Sequence, residues 1–214
     1  MPTAMLIVDF QNDFTPGGAL PVPDGHTIAA TLNRLAAEHD YVIATRDWHP
    51  VDHGSFEDVA IDERRWDGTE PPKIWPPHCI AGTDGAELHD ALDRSRVDET
   101  IDKGQDPHSQ GYSGFHGTAL ARKLRRRGID CLVVGGLATD YCVKNTVLDA
   151  LAEGFDVTVV EDAVRGVDVN EGDSERALAE MADAGARIVS SRELLAAPRS
   201  CGPTADAARR VGLL

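Results

Sequence analysis

The residues best placed to do chemistry lie in the stretch CLVVGGLATDYCV, residues 131 to 143. The β-branched run before its glycines predicts a buried strand, while Val147 and Leu151 recur at helical spacing after Cys142. If Thr139 or Asp140 caps that helix, Cys142 falls in the first turn, where the helix dipole lowers a thiol pKa and favours a nucleophilic thiolate. The alternative is a small buried hydrophobe, the commonest fate of a free cysteine. Both interpretations stay open on this stretch alone.

A cysteine nucleophile needs a proton acceptor and donors for the developing negative charge. The chain has 8 histidines, but none directly follows a predicted strand. By contrast, Asp9 lies at the end of the first predicted strand (4–10) and Lys103 at the end of the third (99–104). The Asp9 carboxylate can accept the thiol proton, and the Lys103 ammonium lowers the pKa of both groups. The backbone N–H groups of Ala138 and Cys142 are candidates for the oxyanion hole.

A second group of reactive side chains occupies DWHPVDH, residues 47 to 53, with His78 further along in WPPH. Two histidines and a carboxylate suit one divalent transition metal (zinc, iron or manganese) in an open site. The alternative is a surface loop with solvated histidines. The segment from residue 48 to about 85 also holds all 3 tryptophans, which favours an ordered, functional loop.

Strands alternate with helices along the chain. Beyond the strands already given, apolar runs predict strands at 41–47, 156–163 and 186–191. Helices are predicted after Asp24, which is expected to cap the first of them, in AELHDALDRS (86–95), around Leu120 and Leu124, after Cys142, and from Asn170 or Ser174 onward.

This order predicts an α/β fold with three αβα layers, in which helices cover both faces of a six-stranded, mostly parallel sheet. Ligands bind such sheets outside the carboxyl ends of the strands. The ends carrying Asp9, Asp47, Lys103 and the turn before Cys142 are therefore expected to meet.

The chain length and the net charge limit the number of domains and the classes of partner. A chain of 214 residues predicts a single domain over 1–214, with a weakly patterned tail from about residue 196. The net charge of -15 argues against nucleic acid and anionic membranes as partners and leaves a small molecule, while a homo-oligomer is compatible with it. The 4 cysteines form no C-x-x-C pair, and the first apolar run is too short for a signal peptide, so we expect a cytoplasmic protein.

Several motifs together resemble one family. They are LIVDFQNDF with PGGAL, ATRDWHPVDHGSF, WPPHCIAGTDGAEL, the lysine of DKG, YSGF and GGLATDYCV. Over nearly all its length to about residue 195, the chain resembles the nicotinamidases, or pyrazinamidases, of the isochorismatase-like cysteine hydrolases. The resemblance implies an amidohydrolase that converts nicotinamide to nicotinate and ammonia in NAD salvage through a cysteine thioester, and that also accepts pyrazinamide.

The resemblance also implies residue roles, including a cis bond between Leu137 and Ala138 that aims the oxyanion-hole amides. It makes Asp9, Lys103 and Cys142 the catalytic triad, and Asp47, His49 and His78 the metal ligands, with His53 a weaker candidate. The implied substrate-binding residues are Phe14, Leu20, Trp75 and Tyr112. The rival functions are a metal-free amidase of the same superfamily acting on carbamoyl or ureido substrates, and a catalytically silent binding protein.

Overall fold

A computed structural model describes residues 2–60, 66 and 73–196. Its centre is one six-stranded sheet in the order β3-β2-β1-β4-β5-β6, and every pair of neighbouring strands is parallel. This confirms the predicted α/β class. The strands are β1 (Thr3–Val8), β2 (Val42–Asp47), β3 (Glu99–Lys103), β4 (Cys131–Leu137), β5 (Asp156–Arg165) and β6 (Arg187–Val189).

The chain moves across the sheet one way from β1 to β3 and the other way from β4 to β6, so right-handed crossovers place helices on both faces. The α-helices are α1 (Ala29–Ala37), α2 (Leu120–Arg126), α3 (Lys144–Ala152), α4 (Asp173–Asp183) and α5 (Ser191–Ala196). Arg34 of α1 donates to Ser191 of α5 at 2.7 Å, and Lys144 of α3 pairs with Glu180 of α4 at 3.2 Å. Among the described residues, no helix has the length and apolar character needed to cross a membrane.

The first strand, β1, lies in the middle of the sheet, and the path of the chain on either side of it forms a crevice. From β1 it proceeds outward through β2 to β3, then returns to the other side of β1 as β4. Strand order therefore reverses between β1 and β4, and such a switch point is where open α/β sheets bind ligands. Both strands are buried almost throughout, which explains their continuous apolar runs.

Two local predictions were wrong. No side chain caps the helices at Asp24, Thr139 or Asp140. The segment 86–95 is not a helix, because its backbone bonds elsewhere: Leu88 forms an antiparallel bridge with Gln11, and the His89 N–H donates to Phe10 O at 2.8 Å. Tertiary contacts thus override the local helical pattern. The predicted tail from about 196 falls at the end of α5, and residues 197–214 lie outside the described part.

The cysteines differ from the expectation drawn from their spacing. Cys79 and Cys142 are buried free thiols, but Cys131 is disulfide-bonded. Spacing alone could not reveal this, because pairing requires closeness in space rather than in sequence.

Gly136 allows β4 to approach β1 closely, and we predict a large stability loss for Gly136→Ala. Its φ is +130°, and a Cβ there would lie 2.0 Å from the carbonyl oxygen of Val8 in the neighbouring strand. Backbone strain and overpacking together should lower the free energy of unfolding by roughly 3 kcal/mol. Gly128→Ala is the matched control: its φ is +66° but the space around it is open, so it should cost only about 1 kcal/mol. Denaturant titration measures both, and equal losses would contradict the close-approach argument.

Candidate active site

The predicted strand ends meet at the switch point, and Lys103 lies at their centre. Its side chain is fully buried, and its Nζ lies 2.8 Å from Asp9 Oδ2 and 2.6 Å from Asp47 Oδ1. It also donates to the carbonyl of Gly111 at 3.1 Å and reaches Cys142 Sγ at 3.5 Å. Burial opposes the charge, but the two carboxylates outweigh it and hold the pKa of Lys103 well above its ordinary value. The ammonium therefore links the thiol to both acids.

Asp9 follows β1 in the left-handed conformation, with φ of +46°. Its Oδ1 accepts a hydrogen bond from Thr45 Oγ1 at 2.6 Å, and its Oδ2 faces Lys103. Burial is the largest influence and raises the pKa of Asp9, although Lys103 opposes the rise. A carboxylate held in this way is a stronger proton acceptor than an exposed one.

Cys142 differs from the prediction of a lowered pKa. The thiol is 5% exposed, and burial raises its pKa well above the ordinary value although Lys103 opposes this. The Asp9 and Asp47 carboxylates add to the rise, and each has an oxygen within 4.8 Å of the sulfur. At neutral pH the resting form is therefore the thiol, and Asp9 lies close enough to be the base that removes its proton.

The turn that carries Cys142 is a π-helical segment, Thr139–Val143, between β4 and α3. The peptide from Leu137 to Ala138 is cis, at the position that the resemblance implied. The carbonyl of Ala138 accepts the N–H groups of Tyr141 and Val143, both at 3.1 Å. The backbone of the turn is thus held by its own hydrogen bonds next to Cys142.

Asp47, His49 and His78 form a buried group whose ligand atoms all lie within 4.8 Å of one another. The Nδ1 of His49 lies 2.7 Å from Gly104 O, and the Nδ1 of His78 lies 2.7 Å from Pro76 O. Because a carbonyl only accepts, each Nδ1 carries the proton, which leaves each Nε2 as an acceptor. Burial lowers the pKa of His78 to about 4, so this imidazole is neutral at pH 7.

This donor set fits a divalent transition metal. His49 Nε2 and Asp47 Oδ2 are 3.6 Å apart, so two acceptor atoms face each other without a proton between them. A cation between them would resolve that opposition. Burial tends to raise the pKa of Asp47, but the Lys103 ammonium outweighs it and holds that pKa well below its ordinary value.

His53 lies beside this group but outside it. Its ring is 4.2 Å from that of His49, and its Nδ1 is 2.7 Å from Ser55 Oγ. Burial lowers the pKa of His53 to about 3. Its Nε2 is buried and has no hydrogen-bond partner among the described residues, so His53 stays a weaker candidate for the metal.

One pocket connects the thiol with the candidate metal group. It encloses about 370 Å³ including its open mouth, and all four predicted substrate-binding residues line it. Trp75 packs edge-on against Tyr141 at 5.0 Å, so the walls are largely aromatic. The lining is Phe14, Leu20, Val22, Asp47, Trp75, His78, Tyr112, Ala138, Tyr141, Cys142 and Val167. A flat, uncharged aromatic ring suits these walls.

Sequence reasoning missed two residues that shape the site. Gln11 is fully buried and pairs with the backbone of Asp47 in both directions, each bond being 2.8 Å. Tyr141 adds an aromatic wall, and its hydroxyl accepts from Lys73 Nζ at 2.8 Å. Tyr141 directly precedes the candidate nucleophile Cys142, and this position could have indicated that it lies in the site. Nothing in the sequence pattern distinguished Gln11 from a solvated loop residue.

Comparisons with known proteins agree with this geometry. Residues 3–193 match the isochorismatase domain family. The nicotinamidase of Escherichia coli K12 is 43% identical over 87% of this chain and 94% of its own length. The nicotinamidase/pyrazinamidase of Mycobacterium tuberculosis H37Rv is 38% identical over 88% and 98% respectively.

Solved structures give the same result. A nicotinamidase and pyrazinamidase from Acinetobacter baumanii superposes with a TM-score of 0.83 at 40% identity, covering 90% of this chain and 98% of that one. A pyrazinamidase of Pyrococcus horikoshii in complex with zinc gives 0.75 at 41% identity, covering 89% and 99%. The protein therefore belongs to the isochorismatase family, among relatives that are nicotinamidases.

Proposed function

We propose that this protein is a metal-containing cysteine amidohydrolase that converts nicotinamide to nicotinate and ammonia, and pyrazinamide to pyrazinoate. The observation that carries the proposal is a single aromatic pocket with Cys142 on one wall and Asp47 and His78 on another. The relatives named nicotinamidase cover nearly the whole chain and support this substrate class. The zinc in the Pyrococcus relative supports a metal held by Asp47, His49 and His78.

Binding should place the pyridine ring between the aromatic walls, with its carboxamide toward Cys142. Asp47, His49 and His78 would hold a zinc, iron or manganese ion, and this Lewis acid would attract the lone pair of the ring nitrogen and so orient the substrate. Phe14 and Trp75 then exclude water from the ring faces, and Leu20 and Tyr112 close the pocket. Orientation of this kind lowers the activation barrier by several kcal/mol, and by on the order of 7–11 kcal/mol in the best cases.

The reaction then follows from the contacts of the thiol. Asp9 accepts the thiol proton as Sγ of Cys142 bonds to the carboxamide carbon, and the oxygen becomes an oxyanion near the N–H groups of Ala138 and Cys142. The C–N bond breaks, and Asp9 returns the proton so that ammonia leaves. Water then gives a proton to Asp9 and attacks the thioester carbon; the C–S bond breaks and the thiol regains its proton.

Lys103 offsets part of the negative charge of this site. It lies within 2.8 Å of the Asp9 carboxylate and 3.5 Å of the sulfur, so it stabilises negative charge wherever the proton moves. An N-carbamoylsarcosine amidase of Thermoplasma acidophilum also superposes, with a TM-score of 0.66 at 29% identity, covering 89% of this chain and 97% of that one. The buried Asp47, His49 and His78 group favours the metal-containing enzyme over a metal-free amidase.

Ammonia release from nicotinamide by the purified protein tests the proposal. Nicotinamide and pyrazinamide should be turned over, and a carbamoyl substrate should not. Turnover of the carbamoyl substrate alone would favour the metal-free amidase. No ammonia from any of them would favour a binding protein.

Removing the metal should slow nicotinamide turnover strongly while leaving the nucleophile reactive. His49→Ala, His78→Ala or a chelator should lower kcat/KM about a hundredfold, because a misplaced carboxamide reacts slowly. Asp47→Ala should cost more, since its Oδ1 also pairs with Lys103 at 2.6 Å. Residual activity on benzamide, which has no ring nitrogen, should change much less.

His53→Ala is the control for that experiment and should have a smaller effect than His78→Ala. Metal analysis of the purified protein accompanies the kinetics. If the protein holds no stoichiometric transition metal, or if the chelated form works at the full rate, the metal assignment fails.

We also propose that the enzyme acts in the cytoplasm, where a reducing environment keeps the Cys142 thiol available. The buried free Cys79 agrees with that compartment, whereas the disulfide at Cys131 is unusual for it. Cell fractionation with an antibody to the protein tests the location.

A further inference from the structure

Asp140 holds the nucleophile turn against a distant loop. Its carboxylate is 8% exposed; Oδ1 accepts the N–H of Val167 at 3.0 Å, and Oδ2 accepts the N–H of Asp168 at 2.8 Å. The acceptor lies two residues before Cys142, and the donors lie beyond the end of β5. Hydrogen bonds to an ionised acceptor are roughly twice as strong as neutral ones.

These bonds connect two walls of the same pocket. Ala138, Tyr141 and Cys142 line it from the turn, and Val167 lines it from the loop, whereas Asp140 itself does not line it. The loop passes close over the carboxylate, since a Cβ on Gly166 would lie 3.1 Å from Asp140 Oδ1. The loop is also anchored at its other end.

That second anchor is Asp168, whose carboxylate accepts both the N–H and the hydroxyl of Ser174 at 2.7 Å. Ser174 belongs to the first turn of α4. The turn that carries Cys142 is therefore fixed through the loop to a helix that packs beside it, rather than by a cap of its own.

We propose that Asp140 is a positioning residue for the oxyanion-hole amides of Ala138 and Cys142. This rests on the proposed amide hydrolysis. Donors for an oxyanion stabilise the transition state only when they are already in place, and a displacement of about 1 Å can cost about a hundredfold in rate. Asp140 acts through the turn and touches neither the substrate nor the sulfur.

The test compares Asp140→Asn and Asp140→Ala with wild type on nicotinamide. The asparagine keeps the shape, but its amide group presents a donor to one of the two N–H groups, so kcat should fall about tenfold. The alanine removes both bonds and should lower kcat about a hundredfold, with KM changed less than about threefold in both variants.

Asp162→Asn is the matched control. Its carboxylate also accepts an N–H and a hydroxyl, from Ser191 at 2.6 and 2.5 Å, but it anchors α5 and not the nucleophile turn. This variant should keep kcat within about twofold of wild type. An equal loss of kcat in Asp162→Asn and Asp140→Asn would overturn the positioning role.

The rate at which iodoacetamide alkylates Cys142 at alkaline pH separates two explanations for a lower kcat. General unfolding would change this rate, whereas displaced oxyanion-hole amides would not. Sulfur displaces iodide at a saturated carbon, so no oxyanion forms, and the rate in the Asp140 variants should stay within about threefold of wild type. Unchanged kcat, or alkylation falling in parallel with kcat, would overturn the inference. Absence of ammonia release by wild type would instead overturn the proposed function.

Discussion

Cys142→Ala is expected to lower kcat for ammonia release from nicotinamide by on the order of 10⁴-fold or more, because it removes the atom that bonds to the substrate. The fold should persist. The change deletes one buried sulfur atom, and Lys103 keeps both of its carboxylate partners. We expect the free energy of unfolding to fall by less than about 1.5 kcal/mol. Kinetics and denaturant titration on the same preparation measure both quantities.

Cys79→Ser is the control for that experiment. Cys79 is also a buried free thiol with a raised pKa, but it lies outside the pocket lining. Its replacement should leave most of the activity. Alkylation of wild type should modify Cys142 in step with loss of activity. Preferential labelling of Cys79 with activity retained would refute the assignment of the nucleophile.

Asp9→Asn should lower kcat about 10³-fold, because it keeps the shape of the base and removes its ability to take a proton. Lys103→Met should be similarly inactive, and the double variant should be little worse than either single one, since the groups act on the same proton. The kinetics of all three variants form a double-mutant cycle. Effects that multiply would show separate, peripheral roles.

The free energy of unfolding should distinguish the role of Lys103 from that of Asp9. Lys103→Met leaves the buried carboxylates of Asp9 and Asp47 without a cation, so it should cost about 3 kcal/mol or more in the free energy of unfolding. Asp9→Asn leaves Lys103 paired with Asp47 at 2.6 Å and should cost less. The opposite order would mean that the lysine is not the charge that holds the two acids together.

The sheet and the position of the site were largely predictable from the sequence. Strands buried on both faces need continuous apolar, often β-branched, runs, and the helices between them need apolar residues at helical spacing. Both patterns can be recognised in the local sequence. Parallel strands end at the same edge, so Asp9, Asp47 and Lys103 could be expected together before any distance was known. The failed helix at 86–95 shows the limit, because bonds from Gln11 and Phe10 to that segment override its pattern.

The electrostatics of the site depended on tertiary structure. A cysteine near a helix start predicts a lowered pKa, but burial and two nearby carboxylates raise the pKa of Cys142. Likewise, the loop sequence did not separate His53 from the group of Asp47, His49 and His78, whereas the ligand distances do. Asp140, predicted as a local cap, instead bonds to a loop 27 residues away.

The sequence by itself therefore determined the fold class, the strand ends that meet and the types of reactive group, because these follow from local periodicity and topology. Only the tertiary structure decided which proton acceptor lies near the thiol, which imidazoles lie beside the Asp47 carboxylate and what holds the nucleophile turn. These depend on distances of a few ångströms and on desolvation, and both are set by packing between segments far apart in the chain.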